Sequence, residues 1–459
     1  MALVESFSGV RGLYPKELNE DLASRYAQAF LNVIGKDSTL VVGRDTRPGG
    51  EGLSHAIMDA SVWAIDVGVL PTPAVEEAVR AFKADGGVII TASHNPPEFN
   101  GFKFLGKTGA VLEPEQMEKV VAEFHKLQKL SPEKFLETYL YTDVERKVET
   151  RHKEALQRYI DFLGSFISKQ EKNSIAAAKL KVLLDPNGGA GLVAPQILQS
   201  FGIQVSTMNS EEGKFSRDIE PTAKSLLGLV KDLKKTKADF AAGFDCDADR
   251  VEIVLPDGSL ASGNHLFALL AKEILSRKKH EQEAVVANDA TSYLVKEVAE
   301  ENGGRWVEVE VGETNVVRVM AELRAPIGGE GSSGGVIIAP SQCRDGILTL
   351  LLLCRMLAKA KKPLQELLSE LPEYTYLKEK VKGKFNRERV QRFYLDRGFT
   401  IQETGDETGG LKALTQGGWV WFRQSKTEPN LIRVIADSKD ADLAKRLLDE
   451  ALHLLYLFS

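Results

Sequence analysis

LVVGRDT, residues 40–46, is an apolar run that ends in an aspartate, and in outline it occurs three times. A helix-compatible stretch follows it, and then a second apolar strand, AIDVGVL (64–70). VLLDPNG (182–188) ends the same way in Asp185 and leads through a helical stretch to GIQVSTM (202–208). AVVANDAT (284–291) carries Asp289 and leads to WVEVEVG (306–312). Short apolar runs alternating with helical patterns are the signature of βαβ units around a largely parallel sheet. Downstream in each unit a further strand enters an unusual loop: VIITASHNP (88–96), FAAGFDCDADR (240–250) and APIGGEGSSGG (325–335). Open parallel sheets bind ligands at the carboxyl ends of their strands. The pattern therefore predicts an α/β protein of three similar α/β domains with mostly parallel sheets, each contributing one loop.

Near residue 375 the pattern changes. WVWFRQSKTEPNLIRVIAD (419–437) reads as two strands around a turn, and DADLAKRLLDEALHLL (440–455) as a helix. These form a smaller α+β C-terminal domain. The expected boundaries are 1–150, 151–256, 257–374 and 375–459.

The chain has 459 residues, too many for one hydrophobic core. Its composition, 43% hydrophobic and 27% charged, is that of a globular protein in water. A net charge of −6 gives no support for nucleic acid as a partner. The strongest apolar run, GILTLLLLC (346–354), falls well short of the ~20 residues that cross a bilayer, so it reads as a buried helix. No membrane role follows. MALVESFSGVRG lacks the basic region and long apolar core of a secretory signal. Cys246, Cys343 and Cys354 have no metal-ligand spacing, and their odd number argues against a disulfide framework. A cytoplasmic location is expected.

DCDADR (245–250) carries the strongest chemistry. In an extended loop Asp245, Asp247 and Asp249 point the same way. Three carboxylates that close repel one another unless a cation neutralises them, and an all-oxygen ligand set suits Mg²⁺. A solvated acidic turn, or a phosphatase loop with Asp245 as nucleophile, would look alike. An EF-hand would not, because Arg250 stands at its turn glycine and Pro256 at its final glutamate. Arg250 could touch a metal-bound phosphate or merely balance the local charge.

In TASHNPPEFNGFKF (91–104) Ser93 follows an apolar strand, and Pro96 and Pro97 lock the loop. That presents a hydroxyl in a fixed direction, and is also an ordinary way to leave a sheet. RQSKTEP (423–429) gathers Arg423, Ser425, Lys426 and Thr427, either a phosphate cradle or a plain hairpin turn. The flanking glycines of a P-loop are absent. GGEGSSGG (328–335) sets Glu330, Ser332 and Ser333 among glycines, as a sugar-hydroxyl loop or a linker would. Arg11, Arg44, Arg47 and Lys103 lie near turns, where such residues serve structure or surface as readily as ligands.

Together, and in this order, these motifs resemble the α-D-phosphohexomutase family over nearly the whole chain. That family has TASHNP with a phosphorylated serine, a DxDxDR metal loop, a GE-containing sugar loop and an RxSxTEP phosphate loop. The resemblance implies four domains around a central cleft, and interconversion of hexose 1-phosphate and hexose 6-phosphate. It implies a phosphoserine at Ser93, one Mg²⁺ held by Asp245, Asp247, Asp249 and Ser93, and a hexose 1,6-bisphosphate as intermediate and activator. Arg11, Lys103 and Arg250 would surround the transferring group. Glu330 with Ser332 or Ser333 would meet the sugar, and Arg423, Ser425, Lys426 and Thr427 the other phosphate. His94 and Asn95 would support the serine. Many members end the sugar loop in histidine; here it ends in Gly334-Gly335 and is one residue longer than the histidine-free form. With VGETNVV (311–317), it is similar to archaeal-type phosphoglucosamine mutases. Phosphomannomutase and phosphoglucomutase activities are the near alternatives. A metal-dependent sugar phosphatase or an inactive phosphosugar-binding protein is the alternative of another class.

Overall fold

In a computed structural model the described residues are 3–6, 8–140, 145–277, 282–331, 334–425 and 430–458. The first aspartate-ending strand, β1 (Thr39–Arg44), leads through α1 (Gly50–Asp59) to β2 (Trp63–Val69). Helix α2 (Thr72–Ala81) then returns the chain to β3 (Gly86–Ile90), and β4 (Phe99–Gly106) follows. The sheet order is β4-β3-β1-β2. The second unit repeats this path with β5 (Lys181–Asp185), α3 (Ala194–Ser200), β6 (Gln204–Thr207), α4 (Ala223–Thr236), β7 (Phe240–Phe244) and β8 (Val251–Val254), in the order β8-β7-β5-β6. The third runs β9 (Ala284–Asn288), α5 (Tyr293–Glu301), β10 (Arg305–Val309), α6 (Glu313–Leu323), β11 (Ile327–Gly329) and β12 (Val336–Ile338), in the order β12-β11-β9-β10. The three units are α/β domains of one topology.

In each sheet the first three strands pair in parallel, and the fourth turns back antiparallel. The sheets are therefore mixed: a parallel core of the kind expected carries an antiparallel edge. Beyond β4 the first sheet adds two further antiparallel strands, Gly9–Leu13 and Val4–Ser6, and beyond β2 a parallel strand, Lys147–Thr150. The reason is local. The loop after the third strand is short, so the chain must reverse beside it instead of crossing over a helix. The third strands β3 and β7 are buried throughout, as strands covered on both faces must be.

The chain divides into two compact units, residues 1–260 with 340–364, and residues 261–339 with 365–459. The first holds two of the α/β sheets and helix α7 (Gly346–Ala360), the GILTLLLLC helix. Asp345 caps α7 by accepting from the Leu348 N–H at 2.8 Å, and its residues from Gly346 to Ala358 are buried. Among the described residues no helix is long and apolar enough to cross a membrane.

The second unit pairs the third α/β sheet with an antiparallel sheet of β13 (Thr375–Lys382), β14 (Thr400–Glu403), β15 (Leu411–Thr415), β16 (Gly418–Gln424) and β17 (Leu431–Ser438). Their order is β13-β17-β16-β15-β14. Strand β16 is buried on both faces. Val420 and Phe422 pack with Leu447, Ala451 and Leu454 of helix α8 (Ala441–Phe458), while Trp419 and Trp421 pack with Ala290, Tyr293 and Val311 of the third α/β domain.

Because α7 is core rather than surface, Leu351→Ala is expected to cost about 2–5 kcal/mol. This is read as a lower thermal unfolding midpoint of the intact protein. An unchanged midpoint would contradict the helix's place in the core.

Candidate active site

Strand β3 ends at Ile90, and Ser93 follows in the left-handed region at φ 50°. A non-glycine residue there is strained, and such strain persists only where the surroundings impose it. Arg47 imposes it. Asp45, at the end of β1, accepts from the Arg47 backbone N–H at 2.9 Å and from its Nε at 3.1 Å. The oriented guanidinium then donates to the carbonyls of Ser93, Asn95, Pro96 and Phe99. Thr91 Oγ1 accepts the Ser93 N–H at 2.8 Å. The serine loop is thus wound around one buried arginine, with the two prolines as only part of the lock.

The second α/β domain uses the same device. Asp185, at the end of β5, accepts Arg217 Nε at 2.7 Å, and Arg217 Nη2 donates to the Phe244 carbonyl at 2.7 Å. Phe244 immediately precedes Asp245. Gly189 lets the neighbouring loop approach closely, since a β-carbon there would stand 2.6 Å from the Cys246 carbonyl. The two loops meet: Ser93 Oγ donates to Asp245 Oδ2 at 3.1 Å.

Asp245, Asp247 and Asp249 are buried, and each offers an oxygen within 4.8 Å of the others. Burial, with Asp249 and Asp247 beside it, pushes the Asp245 carboxyl well above its ordinary range. Burial would raise Asp249 too, but Arg344, Lys103 and Arg250 outweigh it and hold that carboxyl below its usual range. Oδ1 of Asp247 and Oδ1 of Asp249 are buried without a hydrogen-bond partner among the described residues. Orphaned carboxylate oxygens in a buried, mutually repelling triad fit a hard divalent cation.

Cations ring the triad. Lys103 Nζ donates to Asp247 at 2.8 Å and to Asp249 at 3.1 Å. Arg250 Nε lies 3.8 Å from both Asp245 and Asp249 and is itself buried without a hydrogen-bond partner among the described residues. Arg11 donates to Asn95 Oδ1 at 2.7 Å; burial and then Arg250 lower its pKa to about 10. Burial, then Arg250 and Arg11, hold His94 well below the usual histidine range, so its imidazole stays neutral beside the serine.

Two residues not singled out in the sequence complete the ring. Thr72, in the first turn of α2, donates its hydroxyl to Asp247 Oδ2 at 2.7 Å and its N–H to the Asp247 carbonyl at 3.0 Å. Arg344 Nη2 reaches Asp249 at 3.3 Å. Asp345, which accepts from Tyr159 at 2.7 Å while capping α7, seats that arginine. A helix-capping Asp after an arginine, at the head of the apolar run, was the available signal for Arg344.

In the second unit Glu330, at the end of β11, is buried. Its Oε1 accepts from Asn288 Nδ2 at 2.8 Å and from the Gly312 N–H at 3.1 Å. Arg423, near the end of β16, pairs with Glu310 at 2.8 Å, and the Ser425 N–H donates to the Leu431 carbonyl at 2.7 Å. Ser332, Ser333, Lys426 and Thr427 lie outside the described residues. Among the described residues Arg44 donates to the neighbouring Asp45 carbonyl, at 3.3 Å.

The chain matches the family described as phosphoglucomutase/phosphomannomutase in its α/β/α domain I (residues 5–131), domain II (157–258) and domain III (262–374). It is 33% identical to a phosphoglucomutase/phosphomannomutase of Thermococcus kodakarensis, over 97% of both chains. It is 30% identical to a phosphoglucosamine/phosphogalactosamine mutase of Sulfurisphaera tokodaii, over 96% of both. Among solved structures it superposes with a putative phosphomannomutase from Thermus thermophilus at a TM-score of 0.80 and 26% identity, over 99% of each chain. The aspartate-ending strands and their loops are those of a phosphohexomutase, an enzyme of the isomerase class, and the chain belongs to the phosphoglucomutase/phosphomannomutase family.

Proposed function

We propose that this phosphohexomutase interconverts hexose 1-phosphates and hexose 6-phosphates through a phosphoserine at Ser93 and a hexose 1,6-bisphosphate. The observation that carries this reading is the Ser93 hydroxyl 3.1 Å from a buried aspartate triad with orphaned oxygens. Asp245, Asp247 and Asp249 would hold Mg²⁺, with a Ser93 oxygen beside them. Bound there, Mg²⁺ would supply Lewis-acid stabilisation of charge on the phosphoryl oxygens.

The chain's own residues do the rest. Ser93 is fixed by the Arg47 clamp, so its oxygen needs no reorganisation when it gives or takes a phosphoryl group. In the forward step the bond from phosphorus to Ser93 Oγ breaks as a bond to the sugar hydroxyl forms. The hydroxyl proton must leave, and Lys103, held between Thr72 and two aspartates, is the candidate to take it, acting as the free amine and becoming the ammonium. Arg250 brings an unpartnered buried Nε to the same place, where phosphate oxygens would satisfy it. Arg11 and Arg250 are the cations for the group in transit. Glu330 would accept sugar hydroxyls, with Ser332 and Ser333 on the same loop. Arg423, Ser425, Lys426 and Thr427 would hold the phosphate that does not react.

The sugar loop has no histidine, and Glu330 is assigned to the C3 and C4 hydroxyls that glucose, mannose and glucosamine share. A site that makes no buried hydrogen bond at C2 cannot reject a C2 analogue strongly. The substrate range is therefore relaxed, with glucosamine phosphate as the leading substrate. That lean is supported by VGETNVV (311–317) and by a relative that carries the phosphoglucosamine name.

Ser93→Ala is expected to lower turnover by about three orders of magnitude or more while the fold stays intact, and to abolish the phosphate found on the parent protein by intact mass. Near-parental turnover would remove the phosphoserine step. For the substrate, kcat/KM for glucosamine 6-phosphate, glucose 1-phosphate and mannose 1-phosphate should agree within about 10³-fold. A preference of ~10⁴ or more for one sugar would mean that a C2 contact exists.

A further inference from the structure

Strand β10 runs out through WVEVEVG, so Glu308 and Glu310 alternate with valines and face the same way. Both meet cations of the antiparallel sheet, but differently. Glu308 accepts from Lys412 at 2.8 Å and from Gln402 at 2.6 Å, and the Lys412 ammonium also sits 4.5 Å from the Trp419 ring. That ion pair is closed: both side chains are nearly inaccessible.

Glu310 makes a more open pair. Its Oε1 takes Arg423 Nη2 at 2.8 Å, while Arg423 Nε is buried with no hydrogen-bond partner among the described residues. The arginine is only 9% exposed, so an unused donor there is costly unless something else fills it. Nε and Nη2 lie on one edge of the guanidinium, the edge that binds a carboxylate or phosphate in bidentate fashion. Glu310 uses half of that edge. Gly405 leaves room for the carboxylate, because a β-carbon there would collide with it.

The neighbours of Arg423 also favour an anion. Across β16 and β17 it stands directly opposite Arg433, and across β17 and β13 Arg433 stands opposite Lys380. Three cations thus occupy one row on one face of the sheet, and like charges placed opposite one another destabilise a sheet unless anions intervene.

We propose that Glu310 is a built-in stand-in for the substrate phosphate. Its carboxylate holds Arg423 in the ligand-free protein, and an arriving phosphate displaces it from the guanidinium edge to take both Nε and Nη2. The proposal rests on the reading of Arg423 as a phosphate clamp. A mutase gives such a stand-in a use: the same arginine must release one end of the bisphosphate and take the other. A carboxylate ready to return to the arginine weakens the grip on each phosphate and eases the exchange.

The test compares Glu310→Gln, Arg423→Gln and the double variant in the full chain, by calorimetric titration with glucose 1-phosphate and with inorganic phosphate, and by KM. Glu310→Ala serves where circular dichroism shows the glutamine variant misfolded. Removal of the Glu310 charge is expected to lower Kd and KM about five- to tenfold with kcat unchanged or reduced, to leave a weaker site on Arg423→Gln, and to have no further effect in the Arg423→Gln background. A rise in KM for Glu310→Gln would overturn the proposal, making Glu310 an orienter of the arginine. An equal fall in the Arg423→Gln background would overturn it as well, reducing Glu310 to a distant charge. In both cases a raised KM for Arg423→Gln alone leaves the phosphate-clamp reading standing. An Arg423→Gln variant with parental KM overturns both.

Discussion

Three carboxylates buried within 4.8 Å of one another are the constraint around which the first unit is organised. Left in a low-dielectric interior without counter-charge they would drive one another to the protonated form. The protein answers with cations and donors from distant parts of the chain: Lys103 on β4, Arg250 within the loop, Arg344 ahead of α7 and the Thr72 hydroxyl on α2. Each contact pins another segment to the aspartate loop. The same network brings Ser93 to its 3.1 Å approach to Asp245. Docking of the first two α/β domains and the geometry of the candidate site rest on the same contacts.

The repeated topology explains why those loops are so well held. At the end of the first strand of a unit an aspartate orients an arginine, and the arginine gathers the carbonyls of the loop after the third strand. Asp45 with Arg47 does this for the serine, and Asp185 with Arg217 for the aspartate loop. Among the described residues of the third domain no arginine takes this place. Asp289 instead accepts from Trp421 of β16 at 2.8 Å and from Thr404, just past the end of β14. Where the first two domains spend this aspartate on their own loop, the third spends it on a neighbour. That accounts for a buried strand β16 with tryptophans on the third-domain side.

Much of this was legible in the sequence. The apolar runs ending in Asp45, Asp185 and Asp289 were enough for three α/β domains, because strands buried on both faces carry an unmistakable apolar signature. The spacing of Asp245, Asp247 and Asp249 pointed to the right carboxylates, but an extended loop was the wrong reason: the chain turns there, with the Ala248 N–H on the Asp245 carbonyl at 3.3 Å and Ala248 at φ 52°, and the turn brings the oxygens together. What the sequence hid was non-local. Thr72 and Arg344 stand 175 and 95 residues from the aspartates they touch, with no pattern that ties them together. Lys103 looked like a surface lysine near a turn, yet the fold buries it against two carboxylates. The antiparallel fourth strands were also missed, since an apolar run says nothing of the direction of its partner.

The most direct test of the central claim is the fate of a labelled phosphate on Ser93. Protein labelled there is mixed with excess unlabelled glucose 1-phosphate and Mg²⁺, quenched at short times, and compared with Asp247→Asn. The account predicts that the label passes from protein to sugar and appears first in a bisphosphate, while in Asp247→Asn it stays on Ser93 across a Mg²⁺ titration. Release of the label as inorganic phosphate, or transfer at the parental rate in Asp247→Asn, would contradict it.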